Sequence, residues 1–235
     1  MPQPSQLASA LVYYAVFLVS ATLHEAAHAW AARRGGDPTA YHGGQVTLDP
    51  RPHIRREPFG MLVLPLLSAL LSGWPFGYAS APYDRAWALE HPRRAAWMAL
   101  AGPAANLLLV LASLILLRVG WAAGVFSAPD SVRFGRVALG AAGVWSALAL
   151  VIGVFFSMNL LLATLNLLPI PPLDGSGALP LLLGRAAAVR YLRFVWSSVS
   201  FGWIGIVIAW LLFPAIFQPL FRAVVNLLYP GAHYG

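Results

Sequence analysis

The sequence contains no cysteine and no lysine, and only 10% of its 235 residues are charged. Without cysteine there are no disulfides and no thiolate metal sites, so any metal must be held by histidine and carboxylate. A soluble domain usually carries about 25% charged residues, and so little charge cannot cover a water-facing surface. A polar linker long enough to divide the chain is also missing. One membrane domain over 1–235 is expected, with a catalytic core at about 7–184 and C-terminal apolar spans at about 194–229. A basic leader is absent, so the first apolar run is not read as a removable signal peptide.

What is present is apolar: 59% of residues are hydrophobic and mean hydropathy is +0.70. The bilayer is the expected solvent. The net charge of +7 comes from 15 arginines against 8 acids. These arginines sit at the ends of apolar runs, as topology signals do, so no nucleic-acid partner is expected.

The first run, Leu7 to Ala32, is long enough to span and stops at Arg33-Arg34-Gly35-Gly36-Asp37-Pro38. Gln45-Val46-Thr47-Leu48 reads as a short strand. The run Phe59 to Ser72 is short for a span and holds Pro65. A third run covers Ala95 to Leu117, and Val137 to Leu168 leads into Pro169-Ile170-Pro171-Pro172. Phe194 to Phe213 reads as another span, followed by a shorter stretch flanked by Pro214 and Pro219. Eleven arginines (33, 34, 51, 55, 56, 85, 93, 94, 185, 190 and 193) mark one side as cytoplasmic, which puts the N-terminus outside. Both flanks of Phe59–Ser72 then lie on that side. This piece should re-enter rather than cross, covered by protein beside the active site. The fold class is an all-α polytopic helical bundle with four or five full spans and a re-entrant or small β element near the site.

The chemistry begins at His24-Glu25-Ala26-Ala27-His28. Helical positions i and i+4 share a face, so both imidazoles can reach one metal ion. Zinc lowers the pKa of a water it holds from 15.7 to about 7, and the neighbouring Glu25 could accept that proton. Ionisable groups inside an apolar span cost roughly 2.5–3.5 kcal/mol each and read as functional. A catalytic zinc has three protein ligands and an open position. Asp174 follows the proline cluster and precedes Gly175. It is either a carboxylate aimed into a cavity by chain the prolines unwind, or an ordinary turn aspartate at a helix exit. Gly102-Pro103 reads as a helix start or kink, or as something functional. His53, between Pro52 and Ile54, reads as a solvated loop histidine or as a gating group beside the site.

His24-Glu25-Ala26-Ala27-His28, Gly102-Pro103-Ala104-Ala105-Asn106 and Asn166-x-x-Pro169-x-Pro171-x-Leu173-Asp174-Gly175, in this order, resemble the site-2 protease family of intramembrane metalloproteases. The stretch from Gly36 to Gly60 resembles its small bacterial and archaeal branch. The resemblance implies one zinc held by His24, His28 and Asp174, with Glu25 as general base and acid. It also implies that Asn166, Pro169 and Pro171 hold the substrate backbone, through an amide donor to the oxyanion and strand-like pairing. Asn106 would pack or hydrogen-bond between helices. Gln45–Leu48 and Phe59–Leu71 would form an edge strand and gate. The span that many relatives carry before the HExxH helix is not seen, nor is a PDZ or CBS-type module. The expected activity is zinc-dependent hydrolysis of a single-span membrane-protein substrate at the plasma or inner membrane, with the site toward the cytoplasm. The rivals are a catalytically silent scaffold of the same fold and a metal-ion transporter. Oligomeric state is not legible.

Overall fold

The computed structural model describes residues 4–72 and 75–234. Four helices are long and apolar enough to cross a membrane: α1 (Pro4–Gly35), α6 (Pro92–Ala122), α7 (Val144–Asn166) and α10 (Val199–Leu228). Between them lie the short helices α2 (Thr39–His42), α3 (Pro50–Arg56), α4 (Leu64–Ser72), α5 (Arg85–Glu90), α8 (Asp174–Ala178) and α9 (Arg185–Trp196). The two-residue strands β1 (Phe126–Ser127) and β2 (Leu139–Gly140) pair antiparallel in the loop before α7. The packed centre is α1, α6 and α7, each against the other two, with α10 laid more loosely on α7 and α6.

Side-chain contacts fix which ends lie together. Trp87 Nε1 and Arg94 donate to Gly35 O, at 3.1 and 3.2 Å, and Arg185 donates to Glu90 O. The end of α1, the start of α6 and the start of α9 therefore share one face. At the opposite end Arg118 donates to Leu228 O, and Tyr229 donates to Val137 O. The four spans alternate in direction, with the arginines counted as cytoplasmic gathered on the first face.

The re-entrant expectation matches the chain path. A π-helical turn, Phe59–Val63, runs directly into α4. The chain then returns beside it: Tyr78 N donates to Gly60 O at 3.1 Å, and Phe76 N to Ser68 Oγ at 2.7 Å. Ser80 Oγ donates to Glu57 Oε1 at 2.5 Å, so the segment enters and leaves at one level. Lipid-depth backbone of this kind needs protein cover, and α4 packs on α1.

Three expectations are corrected. Gln45–Leu48 forms no strand. Gly44 has φ +73, Gln45 N donates back to Ala40 O, the Gln45 amide donates to Ser80 O, and Thr47 and Asp49 are spent capping the entry to α3. The backbone is thus used in turns and has no neighbouring edge. The runs after Phe194 are not two pieces, because α10 is one helix with Pro214 and Pro219 inside it. Apolar helices tolerate such breaks when neighbours re-satisfy the backbone. Gly102-Pro103 is not a helix start, since α6 begins ten residues earlier at Pro92.

Candidate metal centre

His24 and His28 project from the same face of α1. Asp174 is the first residue of α8, directly after the proline loop that leaves α7. Gly175 permits this placement, because a Cβ there would run into the carbonyls of Leu167 and Leu168 at the α7 exit. Asp174 Oδ2 lies 3.0 Å from His24 Nε2 and 3.3 Å from His28 Nε2, and the two Nε2 atoms are 3.0 Å apart. Ligand atoms bound 2.0–2.2 Å from a tetrahedral zinc stand about 3.3–3.6 Å from one another. The triangle formed by these three atoms is a few tenths of an ångström tighter than one face of such a site, so the three side chains could close on one zinc with a small outward shift. Among the described residues this is the only group of three side chains able to hold a metal.

Each imidazole is held from behind. His28 Nδ1 lies 2.7 Å from Met98 O, and His24 Nδ1 lies 2.5 Å from Asn106 Oδ1. Asn106 Nδ2 donates to Asn159 Oδ1 at 2.8 Å. Asn159 Nδ2 donates to Ser20 Oγ at 3.0 Å and to Phe155 O at 2.8 Å. Histidine metal ligands commonly donate their second ring nitrogen in this way.

Gly102 of α6 faces the two histidines. A Cβ there would overlap the Nε2 atoms of both His24 and His28. The missing side chain leaves the space in which an ion between those nitrogens would sit.

Glu25 is buried and has no hydrogen-bond partner among the described residues. It lines a cavity of about 490 Å³ with His28, Asp174, Ser80, Tyr83, Pro171 and Arg85. The cavity runs from the metal triangle along the return limb of the re-entrant segment to α5 and α9, at the arginine-rich end. Tyr191 of α9 donates to Ser176 O at 2.9 Å and so pins α8 beneath it.

The remaining predicted residues are more scattered. Asn106 touches His24 directly. Pro171 lines the cavity, whereas Asn166 and Pro169 are not among its lining residues; Asn166 is half-buried and Pro169 exposed. His53 is 1% exposed, against its reading as a solvated loop histidine. Its Nε2 lies 3.2 Å from Thr47 O, and it packs in α3 rather than on the cavity wall. Sequence reasoning missed Asn159, Ser20 and the Met98 carbonyl. Only Asn159 left a trace, as an amide in an apolar run where a polar group is costly.

The model of peptidase family M50 matches residues 12–208, a range that contains the whole site. "Putative zinc metalloprotease YwhC" of Bacillus subtilis (strain 168) is 34% identical over 160 residues, which cover 67% of this chain and 63% of the relative. "Putative zinc metalloprotease Rip2" of Mycolicibacterium smegmatis is 35% identical over 169 residues, 72% of this chain and 56% of the relative. The Rip2 protein of Mycobacterium tuberculosis (strain H37Rv) is 33% identical over 206 residues, 83% and 70% respectively. The chain thus spans 56% to 70% of the length of these relatives. No solved structure gives a significant match.

Proposed function

The chain belongs to peptidase family M50, and from that membership we propose that it is a one-zinc endopeptidase that cuts membrane-protein substrates within or at the edge of the bilayer. The observation that carries the proposal is the convergence of His24, His28 and Asp174 to within 3.3 Å at ligand-atom positions inside a spanning bundle, with Glu25 on the same cavity. The ion, when bound, supplies Lewis-acid polarisation and an acidified water. Glu25 takes a proton from the water as its oxygen bonds to the scissile carbonyl carbon. It then gives that proton to the amide nitrogen as the C–N bond breaks.

The proline loop favours an extended substrate. Pro169, Pro171 and Pro172 have no N–H. The N–H groups of Ile170 and Leu173 are spent on Leu168 O and Ile170 O, at 2.8 and 2.9 Å. The loop can therefore offer a substrate only acceptors, and a single-span helix unwound near its cleavage site would supply the matching donors. The site faces the cytoplasm of the cell membrane, a reading supported by the arginines gathered at the end where the cavity opens. The transporter rival lacks support, since no second group of three metal-ligating side chains lies along the bundle among the described residues.

The test is cleavage of a tethered single-span reporter by wild type and by Glu25→Gln. Loss of a general base slows cleavage by about 10²- to 10⁴-fold while zinc stoichiometry stays at one. Equal cleavage by the mutant would remove the proposal.

A further inference from the structure

Asn106 and His24 can each present either of two faces to the other. An amide can turn oxygen or nitrogen toward its neighbour, and a neutral imidazole can carry its proton on either ring nitrogen. The surrounding hydrogen bonds remove this freedom. A backbone carbonyl can only accept. Phe155 O, 2.8 Å from the Asn159 amide, therefore requires Nδ2 of Asn159 on that side. Oδ1 of Asn159 must then face Asn106, which answers with its own Nδ2 at 2.8 Å. This turns Asn106 Oδ1 toward His24 Nδ1, and that nitrogen must carry the proton. When the ring is neutral its Nε2 lone pair is then left pointing at the metal position, beside Asp174 Oδ2 at 3.0 Å. His28 reaches the same state in one step, because its Nδ1 faces Met98 O directly. All the groups in the relay from Phe155 to His24 sit in the packed centre of α1, α6 and α7, and Asn106 and Asn159 are both 0% exposed. Water therefore cannot substitute for a missing partner.

We propose that Asn159 is a positioning residue that fixes the His24 tautomer: it transmits the polarity of the Phe155 carbonyl through Asn106, so that His24 Nε2 is free to bind metal. The inference rests on the reading of His24 as a ligand, and its tests separate the two. Asn159→Leu keeps the branched four-atom side-chain skeleton, at a somewhat larger volume, and removes the acceptor, so Asn106 can flip. Purified in detergent, the variant should bind zinc about 10- to 100-fold more weakly in chelator competition. In the metal-free protein, ring-nitrogen NMR shifts should show His24 Nδ1 protonated throughout in wild type and only part of the time in the variant. Asn106→Asp supplies an acceptor whichever way it turns, so in that background Asn159→Leu should cost no more than about twofold in zinc affinity. A residue that merely filled space would cost the same in both backgrounds. The proposal is overturned by a single Nδ1–H tautomer in Asn159→Leu, by wild-type zinc affinity in that variant, or by equal losses in the two backgrounds. A wild type that binds no zinc yet keeps the Nδ1–H tautomer would defeat the protease reading and leave the relay standing.

Discussion

Replacing Gly102 with alanine is the most economical assault on the metal centre, because it adds one methyl group and removes no ligand. The structure sets two opposing magnitudes. Alanine in place of glycine inside a helix contributes about 1 kcal/mol of helix stability. Overpacking by one methyl in a filled interior costs about 1–3 kcal/mol. The variant should therefore fold, with a stability within about 2 kcal/mol of wild type. Its zinc affinity should fall, since the new methyl overlaps Nε2 of both His24 and His28. Relief requires at least one imidazole to leave its place 3.0 Å from its neighbour. Structural zinc sites with four protein ligands are worth about 10–16 kcal/mol, or about 3 kcal/mol per ligand, so displacing one of the three side chains here should cost about 10²-fold in affinity. The assay is chelator competition on protein whose helicity and melting match wild type, followed by reporter cleavage. Gly102→Ala binding zinc within about threefold of wild type would refute the reasoning, since a site indifferent to that methyl does not lie where His24, His28 and Gly102 meet.

Two further substitutions test other parts of the architecture. Asp37 is 1% exposed, and its carboxylate accepts from Thr39 N at 2.9 Å and from Asp84 N at 2.8 Å; Asp37→Ala should lower stability by about 1.5–3 kcal/mol, read as a fall in melting temperature with zinc affinity retained. A Cβ at Gly205 would overlap Pro171 O, so Gly205→Ala should push α10 off the proline loop. Cleavage efficiency should then drop by about 10- to 10²-fold, with zinc binding near wild type in the same samples.

The pattern of what was legible follows from the range of each signal. His24, Glu25 and His28 were readable because their spacing is local and their cost in an apolar run is high. Asp174 was open between two readings on its own residues and was singled out only by the family resemblance of its proline-rich segment; the fold closes 150 residues of chain to bring it onto His24. The re-entrant segment was legible from arginine bookkeeping on its flanks. The four spans were legible too, but not the unity of α10, because a proline pair that would end a soluble helix is carried within an apolar one. The strand expected at Gln45–Leu48 failed because alternation ignores what the backbone is already bonded to, here Ala40 and the α3 cap. Asn159 and Gly102 matter only through atoms on other helices, the first as an amide aimed at α6 and the second as a missing methyl. No property of either residue's own neighbourhood carries that information.

The distribution of satisfied polar atoms separates the roles within the site. Inside a low-dielectric bundle an unpaired polar group is expensive, so commitments are made wherever geometry allows. Ser20, Asn106 and Asn159 share hydrogen bonds behind His24, the Met98 carbonyl takes His28, and Asp174 faces both imidazoles. Glu25 is as buried as its neighbours, at 6% exposure, yet its carboxylate has no hydrogen-bond partner among the described residues. It keeps its acceptors for whatever enters the cavity. A structural carboxylate at this depth would have been bonded to an arginine or a backbone N–H, as Asp37 is to Thr39 and Asp84. The general-base role proposed for Glu25 asks for such a carboxylate, unbonded and on the same cavity as His28 and Asp174.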